Sequence, residues 1–135
     1  MKEQPARSLV LDSEALPLLL RNDRGMAARI EASRQAGVPV LVSVLTIVEA
    51  AQRKTDLARL KWVLSRLQVE PVGQEDALTA VVLLRDAGGL HGHKYAIGAL
   101  VAALALRAPA PTIVLTSDRD DWSKLCGSRV IIRAT

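Results

Sequence analysis

Three carboxylates in this sequence each stand beyond a compact apolar run. Asp12 directly follows the run SLVL, Asp118 comes shortly after TIVL, and Glu49 lies further past VPVLVSV, in the segment VSVLTIVEAAQ. Asp121, three residues after Asp118 on an expected short helix, would face the same way. If the apolar runs are neighbouring strands, these acids converge on one place.

Clustered carboxylates are hard oxygen ligands that suit Mg²⁺ or Mn²⁺, ions that keep several waters and bridge phosphate oxygens. The matching chemistry is phosphodiester hydrolysis, in which the ion activates a water and stabilises charge on the phosphate. We therefore predict a divalent-metal site formed by Asp12, Glu49 and Asp118. The plainer interpretation is that Asp12 and Asp118 only cap helices. It does not cover Glu49, an acid away from any cap whose apolar surroundings make burial costly unless it is paired or binds metal.

The pattern of apolar residues indicates the elements that position these acids. Three strong β-rich runs and two weaker ones predict five strands, at residues 8–12, 38–44, 112–115, 68–72 and 129–132. Apolar residues at helical spacing and helix-stop signals predict helices between them, near residues 26–36, 57–67, 74–87 and 94–106. Such alternation is typical of an α/β fold with a parallel sheet covered on both faces. Open sheets of this type bind ligands at the carboxyl ends of their strands.

Length and composition limit the remaining possibilities. The 135 residues fit one domain, 1–135, and half of them are apolar with no Phe, so the core must consist of Leu, Val, Ile and Ala. Cys126 is the only cysteine, which excludes an intrachain disulfide and a zinc site built from thiolates, and we expect it to be buried. The net charge of +4 favours polyanionic partners, either nucleic acid or an acidic protein segment.

No targeting or membrane segment is evident in the sequence. Its apolar runs fall short of the roughly 18 to 20 residues that span a bilayer. The first residues lack the long apolar region and cleavage site of a secretory signal. We therefore expect a cytoplasmic protein with no membrane partner.

Four segments, in order along nearly the whole chain, resemble the signature segments of PIN-domain ribonucleases, and most closely VapC-type toxins of bacterial toxin–antitoxin pairs. They are LVLDSEALPLLL, VSVLTIVEAA, HGHKYAIGALVAALAL and TIVLTSDRDDWSKL. The resemblance implies a three-layer α/β/α fold with a mostly parallel sheet. It also implies a Mg²⁺- or Mn²⁺-dependent endoribonuclease that cuts RNA and is held inactive by an antitoxin protein. The helical hairpin at about Thr46–Leu67 would contact the antitoxin and a second copy in a homodimer.

Carried over residue by residue, the resemblance implies catalytic roles for four acids and supporting roles for two hydroxyl residues. These are Asp12, Glu49, Asp118 and Asp121, with Ser13 and Thr116.

One position departs from the family pattern. Gly98 stands where the family has an aspartate, so the site lacks one negative charge and one possible ligand. Because Mg²⁺ depends on few protein oxygens, we expect weak metal affinity and low nuclease activity. The structural alternative is that Gly98, among small residues, lets its helix pack closely on the sheet, although a mid-helix glycine costs about 1 kcal/mol relative to alanine.

Two other functions compete with the nuclease. The first is a non-catalytic PIN-fold module that binds an antitoxin or RNA, which the missing acid at Gly98 favours. The second is a phosphotransfer domain, because an acid after the first strand also occurs there. Phosphatases of that kind need an Asp-x-Asp pair, and the segment Asp12-Ser13-Glu14 fails at its second acid.

Several other residues have a functional and a plainer interpretation. His91 and His93 could be metal ligands or a general base, but loop histidines are more often solvated. Trp62 could anchor a partner helix, since Trp is enriched at interface hot spots, or it could be buried in the core. Four basic residues could contact RNA phosphates or simply be solvated: Arg21, Arg24, Lys94 and Arg119.

Overall fold

The centre of the protein is a five-stranded parallel sheet. The structure, a computed structural model, describes residues 5–88, 90 and 93–135. The strands run in the order β3-β2-β1-β4-β5. They are β1 (Ser8–Leu11), β2 (Val40–Ser43), β3 (Gln68–Glu70), β4 (Thr112–Leu115) and β5 (Ile131–Arg133). Each lies within two residues of its predicted bounds, so the predicted α/β class and parallel sheet are confirmed.

Seven α-helices join the strands in the described part of the chain. They are α1 (Ala15–Leu20), α2 (Arg24–Gln35), α3 (Val44–Ala50), α4 (Leu57–Ser65), α5 (Gln74–Asp86), α6 (His93–Arg107) and α7 (Arg119–Cys126). The four helices predicted from apolar spacing correspond to α2, α4, α5 and α6. The short α1, which contains Pro17, was not predicted. None of the described helices has the length and apolarity that a bilayer crossing needs.

Capping residues set where several of these helices begin and end. The Asp23 carboxylate accepts a hydrogen bond from the backbone N–H of Met26 at 2.9 Å, so α2 begins beside it. Asp56 caps α4 in the same way. The predicted stop after α5 is confirmed at Gly88, whose φ of +81° suits glycine and ends the helical path.

Two hydrophobic clusters cover the two faces of the sheet. On one face, alternate strand residues such as Val10 and Val114 pack against α5, α6 and α7. On the other, Leu9 and Leu11 pack against α1, α2, α3 and α4. The alternation of strand side chains therefore produces the predicted three layers, α/β/α. Cys126 is buried as predicted, and burial raises the pKa of its thiol to about 11.

An ion pair joins two of these helices at the amino-terminal edge of α5. The Arg107 guanidinium, at the end of α6, donates two hydrogen bonds to the Asp76 carboxylate at 2.8 and 3.3 Å and a third to the Pro71 carbonyl at 3.1 Å. Asp76 also accepts from the backbone N–H of Gly73 at 3.1 Å, which caps α5. We call this arrangement the Asp76–Arg107 clamp. Arg107 holds the pKa of Asp76 below its usual value.

Candidate functional site

The predicted acids lie at the carboxyl edge of the sheet, around its centre. In the parallel register, Leu11 at the end of β1 is paired with Val42 on β2 and with Leu115 on β4. The residues that directly follow β1 and β4 therefore lie side by side. The residues in those two positions are Asp12 and Thr116.

Asp12 is the buried acid of the group, with 9% of its surface exposed. One of its carboxylate oxygens, Oδ2, accepts a hydrogen bond from the Thr116 hydroxyl at 2.6 Å and another from the indole N–H of Trp122 at 3.0 Å. The following helix, α1, has Glu14 at its N-cap position. The interpretation of Asp12 as a mere helix cap is therefore wrong, because its side chain binds the neighbouring strand end and α7 instead.

Asp118 occupies the N-cap position of α7, but its side chain makes no capping hydrogen bond. The backbone N–H of Asp121 still acts on the Asp118 carboxyl group and lowers its pKa, so the helix-cap interpretation stays open for Asp118. Its backbone N–H donates to the Thr116 hydroxyl oxygen at 2.9 Å. Partial burial, then the hydrogen bond and charge of Asp121, then the charge of Asp12, raise the pKa of Asp118. Asp118 and Asp121 thus interact across the first turn of α7, as their spacing predicted.

Glu49 lies in the last turn of α3, on the rim of the same site. It is an exposed residue, so the argument that its burial would need a partner or a metal ion does not apply. Its carboxyl group still loses part of its hydration, and this loss together with the charge of Asp12 raises the pKa of Glu49. A hydrogen bond from Ser13 opposes the shift. The predicted hydroxyl residues Ser13 and Thr116 therefore each contact an acid.

These groups surround a small cleft of about 90 Å³. The four predicted acids, Ser13, Gly98 and residues from α6 and α7 line it together: Asp12, Ser13, Glu49, Lys94, Tyr95, Gly98, Asp118, Asp121, Trp122 and Leu125. We refer to it as the acidic cleft. The topology therefore brings all four acids to one cleft from α3, α7 and the end of β1.

Gly98 forms part of the cleft wall contributed by α6. A Cβ atom added there would meet no heavy atom within 4 Å outside the backbone of its own helix. The interpretation that glycine is needed for close packing is therefore wrong. A side chain at this position would have space beside the acids.

The chemistry of the cleft suits a hard divalent cation, but its ligands are sparse. Its acids offer carboxylate oxygens, and loss of hydration, followed by the neighbouring acids, raises the pKa values of Glu49 and Asp118. Nevertheless, within residues 5–88, 90 and 93–135, no group of three or more His, Cys, Asp or Glu side chains is arranged to hold a metal ion. One or two carboxylates with several waters are enough for Mg²⁺. The ligand set of three acids stays a prediction.

Sequence reasoning missed Trp122, the donor to Asp12. The available signal was its position in SDRDDW, four residues after Asp118, which places both on one side of α7. A buried Trp also needs a partner for its indole N–H.

The other candidate residues are dispersed. Lys94 lines the acidic cleft, whereas Arg21 lines a neighbouring groove. The Arg119 side chain bonds to the Ile132 carbonyl at 3.2 Å. Arg24 and His93 are exposed at helix starts, and His91 lies outside the described residues. Trp62 is 51% exposed, so the alternative that it belongs to the core was wrong.

Comparison of the chain with models of known protein families gives no match, and neither does comparison with curated proteins. Solved structures do match over almost the whole chain. A chain of VapBC2 from Rickettsia felis, bound to a DNA fragment from its promoter, superposes with a TM-score of 0.74 at 14% identity, covering 95% of this chain and 98% of that one. DNA-bound VapBC from Salmonella typhimurium gives 0.69 at 17% identity, covering 94% and 97%. A toxin–antitoxin complex from Klebsiella pneumoniae gives 0.68 at 20% identity, covering 91% and 95%.

At sequence identities this low, the similarity to these structures shows a shared fold and nothing further. The chain shares its three-layer α/β/α fold with a chain of these VapBC complexes, and the four sequence segments predicted that fold.

Proposed function

We propose that this protein is a PIN-type endoribonuclease toxin that uses Mg²⁺ or Mn²⁺ and is weakened by Gly98. The observation that carries the proposal is the acidic cleft, in which four acids from α3, α7 and the end of β1 line one space and Gly98 leaves room for a further side chain. Structural acids are normally paired with cations, whereas desolvation and neighbouring acids raise the pKa values of Glu49 and Asp118 in this cleft. Such raised pKa values are typical of a site that holds a ligand.

The residues of the cleft have distinct parts in this proposal. Asp12, Glu49 and Asp118 would hold the ion, with Asp121 beside Asp118. The bound ion would supply charge stabilisation at the scissile RNA phosphate and an activated water. Thr116 keeps Asp12 in place through its 2.6 Å hydrogen bond. The Lys94 ammonium group, on the cleft wall, would attract the RNA backbone.

Restoring an acid at position 98 tests the proposal. Gly98→Asp should increase Mn²⁺-dependent cleavage of a structured RNA by about tenfold or more, since even outer-shell partners of a metal site change affinity by about 10- to 100-fold. The matched control is Gly98→Asn, which has nearly the same shape without the charge and should give no increase. Both fit, because the position faces open space.

Two outcomes would count against this proposal. Equal cleavage by the original chain and Gly98→Asp would show that the site is not depleted. Cleavage that persists in the double variant Gly98→Asp with Asp12→Asn would place the activity outside the acidic cleft or in a contaminant.

The second candidate is a non-catalytic module that binds RNA or an antitoxin. It is favoured by the finding that the described residues contain no ready group of three metal ligands. RNA binding that needs no metal, together with absence of cleavage even in Gly98→Asp, would support this module against the nuclease.

We also propose that an antitoxin protein is the partner, because a structure that shares this fold is a toxin–antitoxin complex. A groove of about 330 Å³ between α1, α2 and α4 is a suitable place. In it, Trp62 is exposed, and the guanidinium groups of Arg59 and Arg66 lie 4.7 and 5.2 Å from its ring centroid. Apolar and cationic groups together suit a helix that carries apolar and acidic residues.

This partner can be tested with the product of an adjoining small gene. Trp62→Ala should weaken its binding by about 2 kcal/mol in calorimetry, the loss typical of an interface hot spot. Val81→Ala, an exposed apolar residue on α5 outside both the groove and the Thr46–Leu67 hairpin, is the control and should bind normally. Unchanged binding by Trp62→Ala would place the antitoxin elsewhere. A homodimer also remains a prediction.

A further inference from the structure

Two hydrogen-bond donors converge on a single oxygen of Asp12. The Thr116 hydroxyl and the Trp122 indole N–H both point to Oδ2, at 2.6 and 3.0 Å, and both bonds are buried. Among the described residues, no hydrogen-bond donor reaches the other oxygen, Oδ1. A carboxylate oxygen has about two lone pairs, so Oδ2 is fully used and Oδ1 is free.

Trp122 itself is held firmly. It is 2% exposed and belongs to the hydrophobic cluster that also contains Leu125 and Val130. A buried indole N–H that loses its acceptor is left as an unsatisfied donor, which is unfavourable. The ring therefore cannot turn away from Asp12 without losing both packing and its hydrogen bond.

The Thr116 hydroxyl gives Asp12 a second anchor of a different kind. It accepts from the backbone N–H of Asp118 at 2.9 Å while it donates to Oδ2. The bond from the Asp118 N–H orients the Thr116 hydroxyl so that its hydrogen points to Asp12. The Asp12 carboxylate is therefore held from two elements, by Thr116 at the end of β4 and by Trp122 on α7.

We propose that Trp122 is a positioning residue. Its indole N–H, with the Thr116 hydroxyl, holds the Asp12 carboxylate so that Oδ1 is the oxygen offered to a divalent cation in the acidic cleft. The inference rests on the proposed metal-dependent function and assigns a role to a residue outside the predicted set of acids and hydroxyls. Groups that orient a metal ligand in this way typically change metal affinity by about 10- to 100-fold.

The test compares Trp122→Phe with Trp62→Phe, since the chain has two tryptophans, one buried and one exposed. Both substitutions keep an aromatic ring and remove the indole N–H. Mn²⁺ affinity is measured by the loss of the free-ion electron paramagnetic resonance signal, in the original chain and in Gly98→Asp. Trp122→Phe should bind Mn²⁺ about tenfold more weakly, and Trp62→Phe should bind it normally. Equal Mn²⁺ affinity in both variants would overturn the role of Trp122 but would not contradict the metal site itself.

A measurement on the unsubstituted tryptophans covers the case in which Trp122→Phe folds poorly. In ¹⁵N-labelled protein the two indole N–H signals are assigned with Trp62→Phe and followed during titration with Mg²⁺. The Trp122 signal should shift as the ion binds at Asp12, while the Trp62 signal stays in place. A bound ion with no movement of the Trp122 signal would also overturn the proposal.

Failure of the proposed function has a different signature. Absence of Mn²⁺ binding in both the original chain and Gly98→Asp would reject the metal site and, with it, the role of Trp122 at that site.

Discussion

The Asp76–Arg107 clamp and the acidic cleft place carboxylates in opposite surroundings. Asp76 accepts hydrogen bonds from Arg107 and from the start of α5, and its pKa is lowered. Glu49 and Asp118 are partly desolvated beside other acids, and their pKa values are raised. Among the described residues, the ion pairs involve none of the four cleft acids. The chain has a net charge of +4, and Lys94 lines the cleft without forming an ion pair with any of these four acids.

The opposite pKa shifts distinguish a carboxylate that stabilises the fold, Asp76, from carboxylates that do not, Glu49 and Asp118. A paired acid favours the folded state, whereas acids gathered together oppose it until a cation or a proton arrives. Functional sites commonly contain such unfavourable groups. Removing acids from the two regions should therefore change stability in opposite directions.

The largest effect is expected at the clamp. Asp76→Ala removes the carboxylate that accepts two hydrogen bonds from Arg107 and caps α5, while Arg107 keeps Glu70 at 3.8 Å and the Pro71 carbonyl. The change should lower the free energy of unfolding by about 2 to 3 kcal/mol near neutral pH. Because the folded pKa of Asp76 is lowered, its stabilisation is complete above the ordinary value of 3.8 and is lost as the pH falls through the folded pKa. Urea unfolding at several pH values would measure both the loss and its disappearance in acid.

The control is Asp86→Ala on the same helix. Asp86 forms an exposed ion pair with Arg85 at 3.6 Å. Its removal should change stability by about 0.5 kcal/mol or less. Similar losses in both variants would mean that the clamp contributes no more than a surface ion pair.

A smaller effect of opposite sign is expected in the acidic cleft. Asp118→Asn removes a repelling charge from an exposed residue, where solvent screens the charge, so in metal-free buffer it should raise the free energy of unfolding by about 0.5 kcal/mol or less. The folded pKa of Asp118 is raised, so its charge opposes folding above that pKa and ceases to do so as the pH falls below the ordinary value of 3.8. The gain should therefore be present near neutral pH and absent in acid.

Asp120→Asn is the control for this change. Asp120 lies on α7 outside the cleft and pairs with Lys124 at 3.0 Å, so its removal should bring no gain. Destabilisation by Asp118→Asn in metal-free buffer would contradict the comparison of the two regions. If Asp118 is a ligand, Mg²⁺ should raise the free energy of unfolding of the original chain more than that of Asp118→Asn.

The sequence predicted the sheet and the meeting of the acids because both depend on local signals. A compact apolar run predicts a buried strand, and parallel strands bring their carboxyl ends together. The sequence alone therefore predicted that Asp12 and Asp118 lie at the same edge of the sheet. The exposure of Glu49 could not be predicted in this way. Its neighbour Val48 is itself exposed, which shows that apolar neighbours along the chain need not share a face of the helix.

The Trp122 hydrogen bond was harder to predict. It joins residues 110 positions apart and depends on how α7 packs across the strand ends. Apolar spacing places Trp122 on the inner side of a helix but does not identify the acceptor that it meets. Similarly, the groove at Trp62 depends on the relative positions of three helices. The sequence alone therefore could not show whether Trp62 is buried or exposed.

The open space beside Gly98 makes this position independent of the fold. A Cβ atom can be added at the glycine without a clash with the rest of the protein. A lineage could therefore lose and regain an acid here by single substitutions, with the scaffold and the groove at Trp62 preserved throughout. In such a protein, the capacity to cut RNA and the capacity to be recognised would evolve as separate traits.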